Sequence, residues 1–222
     1  MIVLVISAHP DDETLGCGGA LLRHRDRGDE LHWVVVTSAH CPAWSEEEIQ
    51  VKEAEKRSIT AAYGIRRSQS LGFPSARLDT VPFEELIKSL GAVIESVKPE
   101  LVYVVHDGDV HSDHRLVHLA TLSVLKPSRM RQIGVSRILA YETLSSTEAG
   151  LPEKDAVFIP NIFLDISRYI DRKIEIMELY ASEMQSDPMP RGPSAIRSLA
   201  RYRGGTIGVQ YAEAFMLVRE VI

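Results

Sequence analysis

The chain has 222 residues, 45% of them apolar and 25% charged, with a formal net charge of −6. That length suits one large domain with a full core, and the composition is near the average for a soluble globular protein. The acidic balance and the lack of any basic block argue against nucleic acid, and no apolar run approaches the roughly 20 residues needed to span a bilayer. The first residues lack the basic start and the length of a secretory signal and read better as a strand. Cys17 and Cys41 form neither a metal spacing nor a disulfide framework. A cytoplasmic location is expected.

Taken in order, Ile2 to Ser7 is a buried strand that gives way to a helix from about Glu13 to Arg27. Gly16, Gly18 and Gly19 should let the first turns of that helix approach neighbouring backbone closely. Leu31 to Thr37 is nearly all apolar, as a strand buried on both faces should be. Ser45, followed by Glu46, Glu47 and Glu48, is a helix N-cap with acid in the first turn, and this helix should stop at Gly64. A short strand at Ser70 to Phe73 ends at Pro74. Pro82 to Val97 carries Phe83, Leu86, Leu90, Val93, Ile94 and Val97 on one helical stripe. Leu101 to Val105 is a further strand, followed by a helix over His111 to Leu125 and a strand at Ile138 to Tyr141.

Beyond that point the pattern weakens. Residues 144–161 read as a loop, Phe163 to Ile166 as a short strand, and Ser167 as the cap of a helix reaching about Met184. Pro188, Pro190 and Pro193 mark a loop over 186–194 that could be mobile. A short helix should follow, then Gly204, Gly205 and Gly208, and a final strand from Ala214 to Val218. The alternation of strand and helix predicts an α/β, Rossmann-like three-layer fold with a mostly parallel central sheet. Residues 1–142 would form the core of a single domain. Residues 143–222 would be a C-terminal α/β extension that covers one end of the sheet.

Two stretches carry chemistry, and each directly follows a predicted strand. The first runs from Ser7 to Gly19 and contains His9, Asp11 and Asp12; the second contains His111, Asp113 and His114. If the two strands are neighbours, both stretches fall at the sheet edge where α/β proteins bind ligands. His9, Asp12 and His114 would then hold one metal ion and leave a position for water, the ligand pattern of catalytic zinc. Asp11 is placed to act as a base. A cationic His111, oriented by Asp113, could stabilise an oxyanion or protonate a departing amine.

Other readings remain for the same residues. Asp11, Asp12 and Glu13 suit an acidic helix start, and His9-Pro10 an ordinary turn. His114 and His118, four apart on a helix, could share a metal instead. His106 and Asp107 suit a solvated loop or the rim of a pocket. A two-histidine, one-carboxylate site also accepts iron, cobalt or manganese. A ligand-binding protein without chemistry is a further alternative. Against it, the glycines after the first strand lack the dinucleotide spacing, and Asp11 and Asp12 would repel a pyrophosphate.

The stretches Ala8-His9-Pro10-Asp11-Asp12-Glu13 and His111-Ser112-Asp113-His114 resemble the two defining motifs of the PIG-L, or LmbE-like, family of deacetylases. The similarity continues through Leu71-Gly72-Phe73-Pro74, Lys98-Pro99, Tyr141-Glu142, Asp165-Ile166-Ser167 and the segment Tyr211 to Phe215. The resemblance implies zinc-dependent removal of an N-acetyl group from a small glucosamine-containing molecule such as a sugar, glycoside or sugar nucleotide. An N-acylated antibiotic or thiol-precursor intermediate is the alternative substrate. It also implies His9, Asp12 and His114 as zinc ligands, Asp11 as general base, and His111 paired with Asp113 as oxyanion stabiliser or acid. Self-association as a trimer or hexamer is a further implication. The chain departs from the family at three positions where substrate could be read: Lys52 replaces a common arginine, Ser75 a common aspartate, and Asp109 a tyrosine found in some relatives.

Overall fold

A computed structural model describes residues 1–151 and 157–222. Its elements are β1 (Ile2–Ser7), α1 (Asp12–Asp26), β2 (Glu30–Ser38), α2 (Glu46–Tyr63), β3 (Arg67–Pro74), a 3₁₀ turn (Leu78–Thr80) and α3 (Phe83–Val97). They continue with β4 (Leu101–Val105), α4 (Ser112–Val124), α5 (Pro127–Ile133), β5 (Arg137–Tyr141), β6 (Ile162–Asp165), α6 (Ile170–Met177), α7 (Pro193–Ile207) and β7 (Ala212–Glu220). The strands form one sheet in the order β3-β2-β1-β4-β5-β7-β6. The first five are parallel, while β7 runs antiparallel to both of its neighbours.

Local chemistry accounts for these elements. Val3 to Ile6, Val34 to Val36 and Val102 to Val105 are aliphatic or aromatic runs buried on both faces, as strands covered by helices require. At α2, Ser45 and Glu48 complete a reciprocal capping box, and Gly64 closes the helix in the left-handed conformation at φ 68°. On α3 the buried stripe is Leu86, Leu90, Val93 and Ile94, whereas Phe83 at its start is exposed.

β1 lies between β2 and β4, so the order of connection reverses there and opens a crevice at the carboxyl ends of β1 and β4. The two motif-bearing loops leave the sheet from these adjacent strands.

The C-terminal portion differs from the expectation. Instead of covering one end of the sheet, it extends it, because β7 inserts between β5 and β6. The helix expected from Ser167 to Met184 is confined to Ile170–Met177, and the Ser167 hydroxyl bonds Asp165 rather than capping it. The chain turns after Met177 so that the buried Tyr180 hydroxyl reaches Glu13 (2.8 Å) and Ser182 binds the Glu55 carboxylate. α7 is longer than expected and includes Gly204 and Gly205; Gly208 closes it. α5, absent from the sequence reading, opens on Pro127 and is closed by Gly134 in the left-handed conformation, a start and stop that the short stretch between them does carry. Residues 144–151 and 157–161 lie outside helices and strands, as expected for a loop; the expectation for 152–156 falls outside the described residues.

The helix that carries the first motif is broken in the middle. Cys17 has non-helical angles (φ −137°, ψ 20°), which leaves Leu15 a carbonyl without a helical partner and Gly19 and Ala20 with unpaired N–H groups. A buried ion pair fills both gaps. Lys173 Nζ donates to the Leu15 carbonyl (2.8 Å) and to Glu213 Oε1 (2.7 Å), while Glu213 accepts from the N–H groups of Gly19 and Ala20 (2.7 Å each). The glycines here make room for side chains, not backbone. A Cβ at Gly16 would sit 2.0 Å from the Tyr141 ring, and one at Gly19 2.6 Å from Ile166.

Lys173→Met should therefore strand a buried carboxylate. We expect a loss of about 3 kcal/mol, read as a fall of roughly 10 °C in the thermal midpoint. A midpoint within a degree or two of the parent would show that the pair does not hold the two halves of α1 together.

Candidate metal centre

The first loop turns tightly. Asp11 sits at φ 107°, a conformation that costs an L-residue energy and is best tolerated by glycine, asparagine and aspartate. This turn makes Asp11 the residue before α1 and lets Asp12 Oδ2 accept from the His9 N–H (2.8 Å). His9 Nδ1 then lies 3.9 Å from Asp12 Oδ2.

The second loop supplies the opposite side. His114 Nε2 lies 3.3 Å from Asp12 Oδ1, and its Nδ1 lies 2.7 Å from Asp109 Oδ2. One donor atom from each of His9, Asp12 and His114 can be chosen so that all three fall within 4.8 Å of one another. Each imidazole thus keeps one nitrogen toward Asp12 and the other on a buried carboxylate: His9 Nε2 is 3.0 Å from Asp113 Oδ2, and His114 Nδ1 is 2.7 Å from Asp109 Oδ2. A carboxylate behind each histidine is the usual support of a metal ligand, since it fixes the ring and raises its basicity. The donor set fits a divalent ion.

Asp113 works differently from the expectation. Its carboxylate accepts from His9 Nε2 and from the N–H groups of Ala76 (2.7 Å) and Leu78 (3.2 Å), tying the segment after β3 beneath the site. Its link to His111 is through the backbone, where the Asp113 N–H donates to His111 Nδ1 (3.2 Å) and makes His111 the N-cap of α4. His111 therefore keeps its proton on Nε2. Burial, reinforced by the neighbouring His9 and His114 rings, holds its pKa below the usual histidine value, so the resting ring is neutral rather than cationic.

Charge is arranged around the same point. Burial alone would raise the Asp12 carboxyl, but the facing His114 and His9 rings overcome it and hold Asp12 down. Burial would likewise lower His114, but Asp12 and Asp109 outweigh it and hold the ring protonated. Without an ion, this pair of carboxylates already stabilises positive charge at His114. Burial, and next the Asp12 charge, push Asp11 well above the carboxylate range. Glu13 is pushed up to about 7 by burial, against hydrogen bonds from Thr14 and Tyr180.

His9, Asp11, Asp12, His111 and His114 line a cavity of about 900 Å³, which is also lined by Trp44, Lys52, Ser75, Glu183 and Arg191. His118 takes no part: its Nδ1 bonds the Val105 carbonyl (2.8 Å), and it belongs to no metal-capable cluster among the described residues. His106 is buried against Phe158 rather than solvated, while Asp107 is half-buried. Arg191 was not anticipated. It reaches from the proline-rich loop to Asp11 (3.3 Å) and Glu183 (3.0 Å), and Glu183 also pairs with Lys52. A cation between prolines was visible in the sequence, but nothing in its spacing ties it to a residue 180 positions earlier.

The chain is similar to several known proteins. A diacetylchitobiose deacetylase from Thermococcus kodakarensis is 25% identical over 228 residues, covering 97% of this chain and 82% of the relative. YaiS of Escherichia coli K12, described as an uncharacterized deacetylase, is 29% identical over 68% of this chain and 78% of its own length. Among solved structures, the conserved protein TT1542 from Thermus thermophilus superposes with a TM-score of 0.79 at 26% identity, covering 99% of this chain and 96% of that one.

Fold, site and relatives define a hydrolytic N-deacetylase. The family model described as PIG-L, GlcNAc-PI de-N-acetylase, matches residues 4–125, and the chain belongs to that family.

Proposed function

We propose that the protein is a zinc-dependent hydrolase that removes the N-acetyl group from a small molecule of the N-acetylglucosamine type. The observation that carries this reading is the meeting of His9, Asp12 and His114 at the floor of a cavity, with a buried carboxylate behind each imidazole. His9, Asp12 and His114 would hold the ion. When bound, a divalent metal supplies Lewis acidity and brings water to an acidity near neutrality.

The remaining work falls to the chain. Asp11 lines the cavity beside these ligands. Burial and the Asp12 repulsion keep it protonated until the charge of a bound divalent ion offsets them, and in its ionised form it takes a proton from the attacking water. As the new C–O bond forms, the acetyl oxygen gains negative charge, and the Nε2–H of His111 donates to it. The C–N bond then breaks. The amine leaves with the proton that Asp11 collected, and acetate remains. Arg191 holds the Asp11 carboxylate from outside the turn. Because Arg191 comes from the C-terminal part of the chain and the other groups from the first 142 residues, residues 1–222 act as one unit in this reading. Self-association as a trimer or hexamer belongs to the same proposal and rests on the family resemblance.

Incubating the zinc-loaded protein with N-acetylated amino sugars, and separately with other N-acyl amines, should release acetate from the former. Absence of acetate across both panels, with about one zinc per chain confirmed, would overturn the reading. Release from non-sugar amines alone would move the substrate to another acylated small molecule.

A further inference from the structure

Beyond the metal end, the cavity carries a distinctive distribution of charge. Three cations line it among the described residues, and each has a carboxylate partner: Lys52 with Glu183, Lys56 with Glu53, and Arg191 with both Glu183 and Asp11. Glu47 and Glu48 line the same wall, so carboxylates outnumber cations there even before Asp11 and Asp12 are counted. Recognition of phosphate or carboxylate calls for the opposite, an arginine fork or a lysine not already committed to an acid.

The second common means of binding an anion is also closed. Three helices, α1, α2 and α4, begin against this cavity, and a helix N-terminus attracts anions through its unpaired N–H groups. Here each start is occupied by the chain's own acids. α1 opens with Asp12 and Glu13, α2 with Glu46, Glu47 and Glu48 and a completed capping box, and α4 with Asp113 behind the His111 cap. An entering phosphate would meet carboxylates at all three.

What the outer cavity does offer is hydroxyls and an aromatic side chain. Ser38, Ser70, Ser75, Ser145 and Ser146 line it, as does Trp44 ahead of α2. Aromatic rings present a flat apolar face with a polar edge, suited to the C–H face of a pyranose. A volume of about 900 Å³ is at the upper end of small-molecule pockets and exceeds what a single sugar ring fills.

We propose that the portion of the substrate beyond the acetamido sugar is an uncharged polyol, a second neutral sugar ring or glycoside, and not a phosphate, nucleotide or carboxylic acid. This rests on the deacetylase reading for the position of the acetamido group. The outer wall selects by charge: a neutral ring replaces water against hydroxyls, whereas an anion would meet three cations already held in four ion pairs.

The two ideas separate experimentally. Calorimetry on the zinc-loaded Asp11→Asn variant would measure binding of N,N'-diacetylchitobiose, N-acetylglucosamine 1-phosphate and UDP-N-acetylglucosamine at one ionic strength, while acetate release is followed with the parent protein. The neutral disaccharide is expected to bind about tenfold more tightly than either phosphate-bearing ligand. Tighter binding of a phosphate-bearing ligand, or no binding of the disaccharide, would overturn the inference whatever the acetate assay shows. Tight disaccharide binding without acetate release would support the inference and count against deacetylation.

Discussion

Asp11→Asn is expected to lower the turnover number by about 10²- to 10⁴-fold, the usual worth of a positioned general base, while metal content stays near that of the parent. The substitution keeps the shape of the side chain and its contact with Arg191, but an amide does not take up a proton. Asparagine is also tolerated at the positive φ of this position, so the turn that places Asp12 should survive. Removing one of two adjacent buried carboxylates relieves repulsion, and Arg191 retains Glu183 as a partner. The thermal midpoint should not fall. Acetate release, zinc analysis and a melting curve on the same preparation check all three statements. A turnover number equal to the parent's would remove Asp11 from the base role.

The fold was legible wherever local chemistry and burial agree. β1 and β4 have the boundaries that their apolar runs predict, and α2 begins and ends at the cap and the glycine read from the sequence. Legibility failed where distant contacts decide. The helix after β6 has polar and apolar spacing that favours continuing past Met177, yet it stops so that Tyr180 and Ser182 can satisfy Glu13 and Glu55. β7 reads as an ordinary final strand, and its place between β5 and β6 follows from pairing that no local pattern encodes.

The site shows the same division. Motif spacing after two strands was enough to bring His9, Asp12 and His114 together, because the strands are neighbours and both loops leave the same edge. It was not enough to say which carboxylate supports which imidazole. Asp113 sits next to His114 and close to His111 in sequence, yet serves His9. The helical turn points its carboxylate across the crevice, where Ala76 and Leu78 also donate to it. Asp109, noticed as a departure from relatives, is the residue that supports His114.

That pairing sets up a graded loss of metal. His114→Ala should abolish stoichiometric zinc and with it turnover, because it removes one of the three proposed protein ligands and leaves Asp12 and Asp109 buried without the ring between them. Part of the loss will be structural, since Asp109 would be buried without its partner and Asp12 left with His9 alone. Asp109→Asn separates the two effects. An asparagine oxygen still accepts from His114 Nδ1–H, so the ring stays in place, but the negative charge behind it is gone. Zinc affinity should fall by about 10- to 100-fold, as loss of such a supporting group does elsewhere. Competition with a chelator of known affinity reads this directly, and activity should return when zinc is raised in proportion. One zinc per chain retained in a folded His114→Ala protein would place the ion elsewhere and dissolve the proposed ligand set. Unchanged affinity in Asp109→Asn would leave His114 as a ligand but deny the buried aspartate any part in holding the ion.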